Sequence, residues 1–270
     1  MAFLPVLEFY VFKDSIQPVS NFTSLKEEGG VYEVLRVIES VPLFLEDHLE
    51  RFYKSASLAG ISILFSEIQI ENLLNKLIEY NKVNEGNILI SYQTNFKAFF
   101  IPHKYPTYEM VENGVLCGIL RAERRIPNAK VFQMYVREQA NQIMKVNGFY
   151  EVLLIDHNEK ITEGSRSNVF FVKNDSIITP PAHKVLLGIT RQKAIKLATE
   201  NGIKCIEDDI YSKETDLFEA AFLTGTSPKI LPISKLDVVN YNAGNKLVVE
   251  LVENYNSLIQ NYVKSKKENR

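Results

Sequence analysis

Between Arg121 and Ala129 the chain loses its hydrophobic period: the stretch is charged, contains Pro127, and separates two long segments that are patterned. Periodicity is the main local signal of helix and strand, so a break flanked by patterned sequence reads as a linker. The expected organisation is two domains, residues 1–122 and 123–270, with the boundary near residue 123. At 270 residues, 46% of them hydrophobic, the chain is long enough to fill two cores.

The 31 basic and 33 acidic residues are intermixed and the formal net charge is -2. No broad basic field is expected to recruit nucleic acid or an anionic membrane, which leaves small molecules as the expected ligands. Cys117 and Cys205 lie in apolar surroundings without a Cys-x-x-Cys spacing. They read as buried free thiols suited to a reducing cytoplasm. Met1 to Phe12 is apolar but lacks a basic start and carries Pro5 and Glu8, so a first strand is expected there rather than a signal peptide. No apolar run reaches membrane-spanning length.

In the first half, Val6 to Phe12 and Val31 to Ile38 have strand composition, and a third strand is expected near Leu43. From Glu46 the apolar residues recur at helical spacing up to Gly60, and Glu67 to Tyr80 repeats that period. Strands return at Asn87 to Tyr92 and Phe96 to Ile101 around Thr94-Asn95. In the second half the pattern predicts a helix over 131–147 stopped by Gly148, then strands over 152–155, 169–173 and 176–179. A further helix over 190–200 is expected to use Thr190 as N-cap and Gly202 as its stop. Leu247, Leu251, Tyr255, Leu258 and Tyr262 form a helical stripe, followed by a tail, Lys264 to Arg270, expected to fray.

Five places could carry chemistry. Gly188-Ile189-Thr190 can expose successive backbone N–H groups at a helix N-terminus, which favours an anion. Leu223-Thr224-Gly225-Thr226-Ser227 reads as a strand ending in a hydroxyl-rich turn. Glu163 follows the apolar strand residue Ile161 and precedes the small-residue bend Gly164-Ser165, which can aim its carboxylate inward. Lys130 follows the linker, where small-molecule sites form between domains. Arg51, beside Phe52 and Tyr53, can extend a planar donor fork. Each feature alone also suits an ordinary cap, turn or surface residue. The four histidines lack metal-ligand spacing, so no metal is expected, and no dinucleotide, P-loop or Gly-x-Ser-x-Gly motif is present.

Together, an amine, a carboxylate and two donor-rich turns in this order look like a pyridoxal phosphate site. From about residue 8 to 235 the chain resembles the class IV aminotransferases, the fold-type IV pyridoxal phosphate enzymes that include branched-chain and D-amino-acid aminotransferases and aminodeoxychorismate lyase. The resemblance is carried by Gly30-Val31-Tyr32-Glu33-Val34-Leu35-Arg36 followed by Asp47-His48-Leu49-Glu50-Arg51, and by Lys130 standing 18 residues before Gly148 and 21 before Glu151. It implies that Lys130 is the Schiff-base lysine and that Arg51 grips the cofactor phosphate. Glu163 is implied to pair with the pyridine nitrogen and Leu186 to pack on the ring, with Ile189, Thr190, Thr226 and Ser227 as phosphate donors.

The implied fold is α+β, a small α/β N-terminal domain and a larger barrel-like C-terminal one, in a homodimer with the active site at the domain junction. The implied activity is amino-group transfer between an amino acid or amine and a 2-oxo acid; pyruvate elimination by an aminodeoxychorismate lyase is the alternative, and a catalytically silent relative is a third reading. Tyr32, Arg36, Tyr92 and Tyr135 are the expected substrate-pocket residues. The chain departs from the family at Gln133, Tyr92-Gln93 and Glu219-Ala220, and the family's usual clamp for a substrate α-carboxylate is not visible in it.

Overall fold

The computed structural model describes residues 3–25 and 28–268. The chain begins with the hairpin β1 (Phe9–Phe12) and β2 (Ser15–Pro18), then β3 (Glu28–Ile38) and the short β4 (Val41–Pro42), which stands where a strand is expected near Leu43. The connection through Glu39 and Ser40 has φ of 52° and 63°, two consecutive left-handed residues that reverse the chain without splaying the strands. α1 (Leu45–Leu58) carries Glu46 and Asp47 in its first turn, where the helix dipole favours negative charge. α2 (Glu67–Tyr80) is fixed at its start by a capping box, Ser66 Oγ accepting from the Gln69 amide and Gln69 Oε1 from the Ser66 amide. β5 (Gly86–Tyr92) and β6 (Phe96–Ile101) follow.

α3 (Tyr108–Asn113), β7 (Val115–Arg121), β8 (Val131–Gln133) and α4 (Met134–Asn147) come next. The helix expected from Val131 therefore starts only at Met134. Val131 is β-branched and registers with Val31 of β3, so long-range sheet pairing takes this segment from the helix. β9 (Glu151–Ile155), β10 (Lys160–Gly164), β11 (Asn168–Lys173) and β12 (Ser176–Thr179) precede α5 (Ile189–Glu200). The chain closes with β13 (Lys204–Glu207), β14 (Ile210–Tyr211), β15 (Ala220–Gly225), β16 (Lys229–Leu236), β17 (Val239–Asn240) and α6 (Lys246–Glu268).

The expected stripe on α6 is displaced: Val248, Leu251, Tyr255, Ile259 and Val263 are the buried set. These five follow the true 3.6-residue period over more than four turns, with Leu247, Leu258 and Tyr262 flanking it. The tail expected to fray remains helical through Glu268, and its last two residues lie outside the described ones. No helix among the described residues is long and apolar enough to cross a membrane.

Two compact units result. One comprises Met1–Lys104, Ala129–Met134 and Ile259–Arg270, the other Tyr105–Asn128 and Tyr135–Leu258. This division differs from a single boundary near residue 123. β7 pairs in parallel with β9 and β16 in the second unit, while β8 pairs with β3 in the first, so sheet pairing overrides chain order. The first unit is built on a seven-stranded antiparallel sheet ordered β2-β1-β6-β5-β3-β4, with β8 on β3. One face packs against α1 and α2 through Leu35, Leu49, Phe52, Leu74 and Ile88; the other carries Tyr10, Tyr32, Leu89, Phe99 and Phe132. The second unit holds a ten-stranded mixed sheet ordered β13-β12-β11-β15-β16-β7-β9-β10-β14, with β17 on β16. Its apolar cluster includes Leu153, Val169, Phe171, Leu223 and Leu231.

Candidate active site

In the first unit the alternation of β3 sends Val31, Glu33, Leu35 and Val37 to the face under α1, so a carboxylate enters an otherwise apolar row. Three residues apart on α1, His48 and Arg51 share the side that meets it. Arg51 Nε and Nη2 donate to the two Glu33 oxygens at 2.7 Å each, and His48 Nδ1 lies 2.9 Å from Oε2. Burial on its own would raise the Glu33 pKa; the Arg51 charge, hydrogen bonds from His48 and Arg51, and the Lys130 charge outweigh it and hold the carboxyl well below its ordinary range. Burial, aided by the charges of Arg51 and Lys130, keeps His48 below the ordinary histidine range despite Glu33. His48 is therefore the neutral member of the cluster at pH 7.

Lys130 is held by both of its backbone groups. Its N–H donates to Ser55 Oγ on α1 at 3.1 Å, and its carbonyl accepts from the Tyr32 amide at 3.0 Å. Its ammonium lies 5.0 Å from the centre of the Tyr32 ring, which itself stacks on Phe132 at 4.6 Å. Lys130, Arg51 and Tyr32 are thus organised around one stretch of β3.

The expected substrate-pocket set does not share one surface. Tyr32 and Arg36 lie on the same face of β3. Tyr92 registers with Val31 and packs in the apolar cluster beneath α1 and α2, on the opposite face. Strand alternation decides this, since a shift of one position reverses the face. Tyr135, in the first turn of α4, is 72% exposed, and its hydroxyl accepts from Gln139 Nε2 at 3.1 Å.

In the second unit, β10 shifts register against β9 between Ile161 and Gly164, and Glu163 lies on this irregular stretch. Glu163 is 3% exposed. Its Oε1 accepts from Arg124 Nε at 2.7 Å and its Oε2 from the Leu186 amide at 3.2 Å. Glu163 and Leu186, 23 residues apart, are joined directly. The Leu186 carbonyl accepts from Asn168 Nδ2 at 2.8 Å, which draws the segment before α5 onto β11.

α5 starts at Ile189 with Gly188 as N-cap and no side-chain cap. Thr190 is therefore the second helical residue rather than the cap, and its hydroxyl lies 3.1 Å from Tyr255 OH. An uncapped first turn leaves backbone N–H donors for an anion. Gly188 leaves room for the Asn168 amide: an added Cβ would lie 2.1 Å from Asn168 Oδ1, so that side chain would have to shift. Thr226 and Ser227 occupy the half-buried turn between β15 and β16, the strands on which α5 packs. Thr224, at the end of β15, registers with Asn168, and its Oγ1 is buried with no hydrogen-bond partner among the described residues.

Three charged groups in this geometry escape sequence reasoning. Glu33 could have been found, because a carboxylate at a core-facing strand position demands a partner. Arg124 lies in the aperiodic linker and had no local signal. Glu151, buried at the start of β9, reads from sequence as the flank of a strand.

The sequence model of amino-transferase class IV matches residues 30–236. The chain belongs to this family. Class IV aminotransferases use pyridoxal 5′-phosphate, and the two-domain α+β architecture is theirs. D-alanine aminotransferase of Bacillus licheniformis is 27% identical over 258 residues, covering 87% of this chain and 88% of that protein. The Escherichia coli branched-chain amino acid aminotransferase structure superposes with a TM-score of 0.84 at 22% identity, covering 94% of this chain and 95% of that one. A Legionella pneumophila structure described as a 4-amino-4-deoxychorismate lyase superposes at 0.76 with 21% identity, covering 85% and 91%. At these identities the two structures share a fold with this class IV aminotransferase.

Proposed function

We propose that this class IV aminotransferase moves an amino group between an amino acid or amine and a 2-oxo acid, with Lys130 as the lysine that holds pyridoxal phosphate. The observation that carries the reading is the buried Glu163 carboxylate, fixed between Arg124 and the Leu186 amide. A fixed, buried anion is what a protonated pyridine nitrogen needs opposite it.

The residues fit the cofactor. The uncapped start of α5, the close approach of Asn168 at Gly188 and the orphaned Thr224 hydroxyl suit a phosphate beside Thr226 and Ser227. Arg51, held in one orientation by Glu33, is the guanidinium that the family resemblance assigns to the cofactor phosphate. When bound, the cofactor supplies an electron sink for charge developing at the substrate α-carbon.

The protein does the rest. Lys130 Nζ would hold the cofactor and, once freed by the substrate amine, would take the proton from the substrate α-carbon as general base and give it back as general acid. Glu163 would hold the proton at the ring nitrogen, and Leu186 would pack against the ring. Tyr32 and Arg36 line the substrate side from one face of β3. The family resemblance supports a cytoplasmic homodimer.

The test mixes stoichiometric holoenzyme with D-alanine, L-leucine and other amino acids singly, and with aminodeoxychorismate, following the visible spectrum. Conversion of the cofactor to pyridoxamine phosphate, reversed by a 2-oxo acid, is the expected result. Catalytic release of pyruvate from aminodeoxychorismate with no such conversion by any amino acid would establish the lyase instead.

A further inference from the structure

Glu163 is supported by a chain of contacts within the second unit. The guanidinium that reaches its Oε1 through Nε also donates through Nη2 to the Ser165 carbonyl at 2.6 Å. Arg124 comes from a segment with neither helix nor strand, so no regular backbone aims it. The two hydrogen bonds do so instead, and a planar fork holding two acceptors has one orientation.

The second acceptor is itself immobilised. Glu151, 3% exposed, accepts from Ser165 Oγ at 2.6 Å, from Ser167 Oγ at 2.9 Å and from the Arg166 amide at 3.1 Å. Gly164 makes this approach possible: a Cβ there would lie 2.1 Å from Ser167 Oγ and 3.1 Å from Glu151 Cγ. A buried carboxylate satisfied by the bend after β10 therefore locks that bend, and the bend offers Arg124 a fixed carbonyl.

We propose that Arg124 is a positioning residue for the cofactor ring nitrogen, acting through Glu163. The inference rests on the reading above, in which Glu163 faces that nitrogen. A guanidinium at hydrogen-bond distance favours the ionised carboxylate, and an ionised carboxylate leaves the shared proton on the ring. Without Arg124 the buried carboxylate loses its counter-ion, and the proton moves from the ring to Glu163. Lysine at this position would restore charge but not the fork.

The experiment uses holoprotein reconstituted with pyridoxal phosphate labelled with ¹⁵N in the ring, reads the ring-nitrogen chemical shift, and titrates apoprotein with cofactor by fluorescence. Native protein is expected to show a protonated ring nitrogen. Arg124→Met is expected to show an unprotonated one and to bind the cofactor about tenfold or more weakly. Arg124→Lys is expected to regain the protonated shift with affinity only partly restored. A protonated ring and native affinity in Arg124→Met, beside loss of both in Glu163→Gln, would overturn the inference and leave the assignment of Glu163 standing. A protonated ring in Glu163→Gln would instead remove that assignment. Should Arg124→Met not fold, Arg124→Met/Glu163→Gln removes both charges. It is expected to match Glu163→Gln in shift and affinity, because Arg124 acts only through Glu163; any further loss overturns the inference.

Discussion

Glu33 of β3 and Arg51 of α1 meet through two hydrogen bonds of 2.7 Å, Nε to Oε1 and Nη2 to Oε2, with the glutamate fully buried. A fork on a carboxylate is the strongest geometry for such a pair, and removing one half leaves the other as an uncompensated buried charge. Glu33→Gln is expected to lower the unfolding free energy by about 3 to 5 kcal/mol in urea titrations. Glu33→Gln/Arg51→Met should recover part of that loss. A double variant as unstable as the sum of the two singles would show that the pair is not coupled.

The same cluster sets a pH dependence. The folded state holds Glu33 below its ordinary 4.5 and His48 below its ordinary 6.5, so the unfolded chain binds both protons more readily. Their contribution to stability is complete above those values and is lost as the pH falls, first through His48 and then through Glu33. Unfolding free energies measured from pH 7.5 down to 5 are expected to decline in native protein and to decline less in His48→Gln. An equally steep decline in that variant would place the acid sensitivity elsewhere.

Elements governed by nearby residues are legible in the sequence. The helix Glu67–Tyr80 has a clean period and a polar start, and the strands joined at Asn174-Asp175 are marked by two turn residues that both take positive φ. What escapes is non-local. Val131 to Gln133 reads as helix because nothing within its own window reveals β3, whose paired residues lie 100 and 105 positions earlier. Tyr92 looks like a pocket residue until its register against Val31 fixes the face. Lys130 and Glu163 are recognised through resemblance, whereas Arg124 meets Glu163 across 39 residues from a stretch without pattern.

Gly188 offers a test of the phosphate assignment that touches no charged group. A methyl at this position would lie 2.1 Å from Asn168 Oδ1, so the Asn168 amide that holds the Leu186 carbonyl would have to shift. Gly188→Ala is expected to weaken cofactor binding by about tenfold, equivalent to about 1.4 kcal/mol, in fluorescence titration of apoprotein. Native affinity in this variant would separate the α5 N-terminus from cofactor binding.

The Thr190 and Tyr255 hydroxyls, 3.1 Å apart, separate a structural effect from a binding one. Thr190→Val and Tyr255→Phe are each expected to cost about 1 kcal/mol of stability, the ordinary net worth of a buried hydrogen bond. Only Thr190→Val should also weaken pyridoxal phosphate affinity. Equal losses of affinity in both variants would mean that Thr190 contributes through packing alone.

The central claim, that Lys130 carries the cofactor, is tested most directly by borohydride reduction of holoprotein followed by peptide mapping. The phosphopyridoxyl group is expected on Lys130, with no fixation of cofactor to Lys130→Ala. Label on Lys145 or another lysine, or cofactor still fixed by borohydride to Lys130→Ala, would contradict the account.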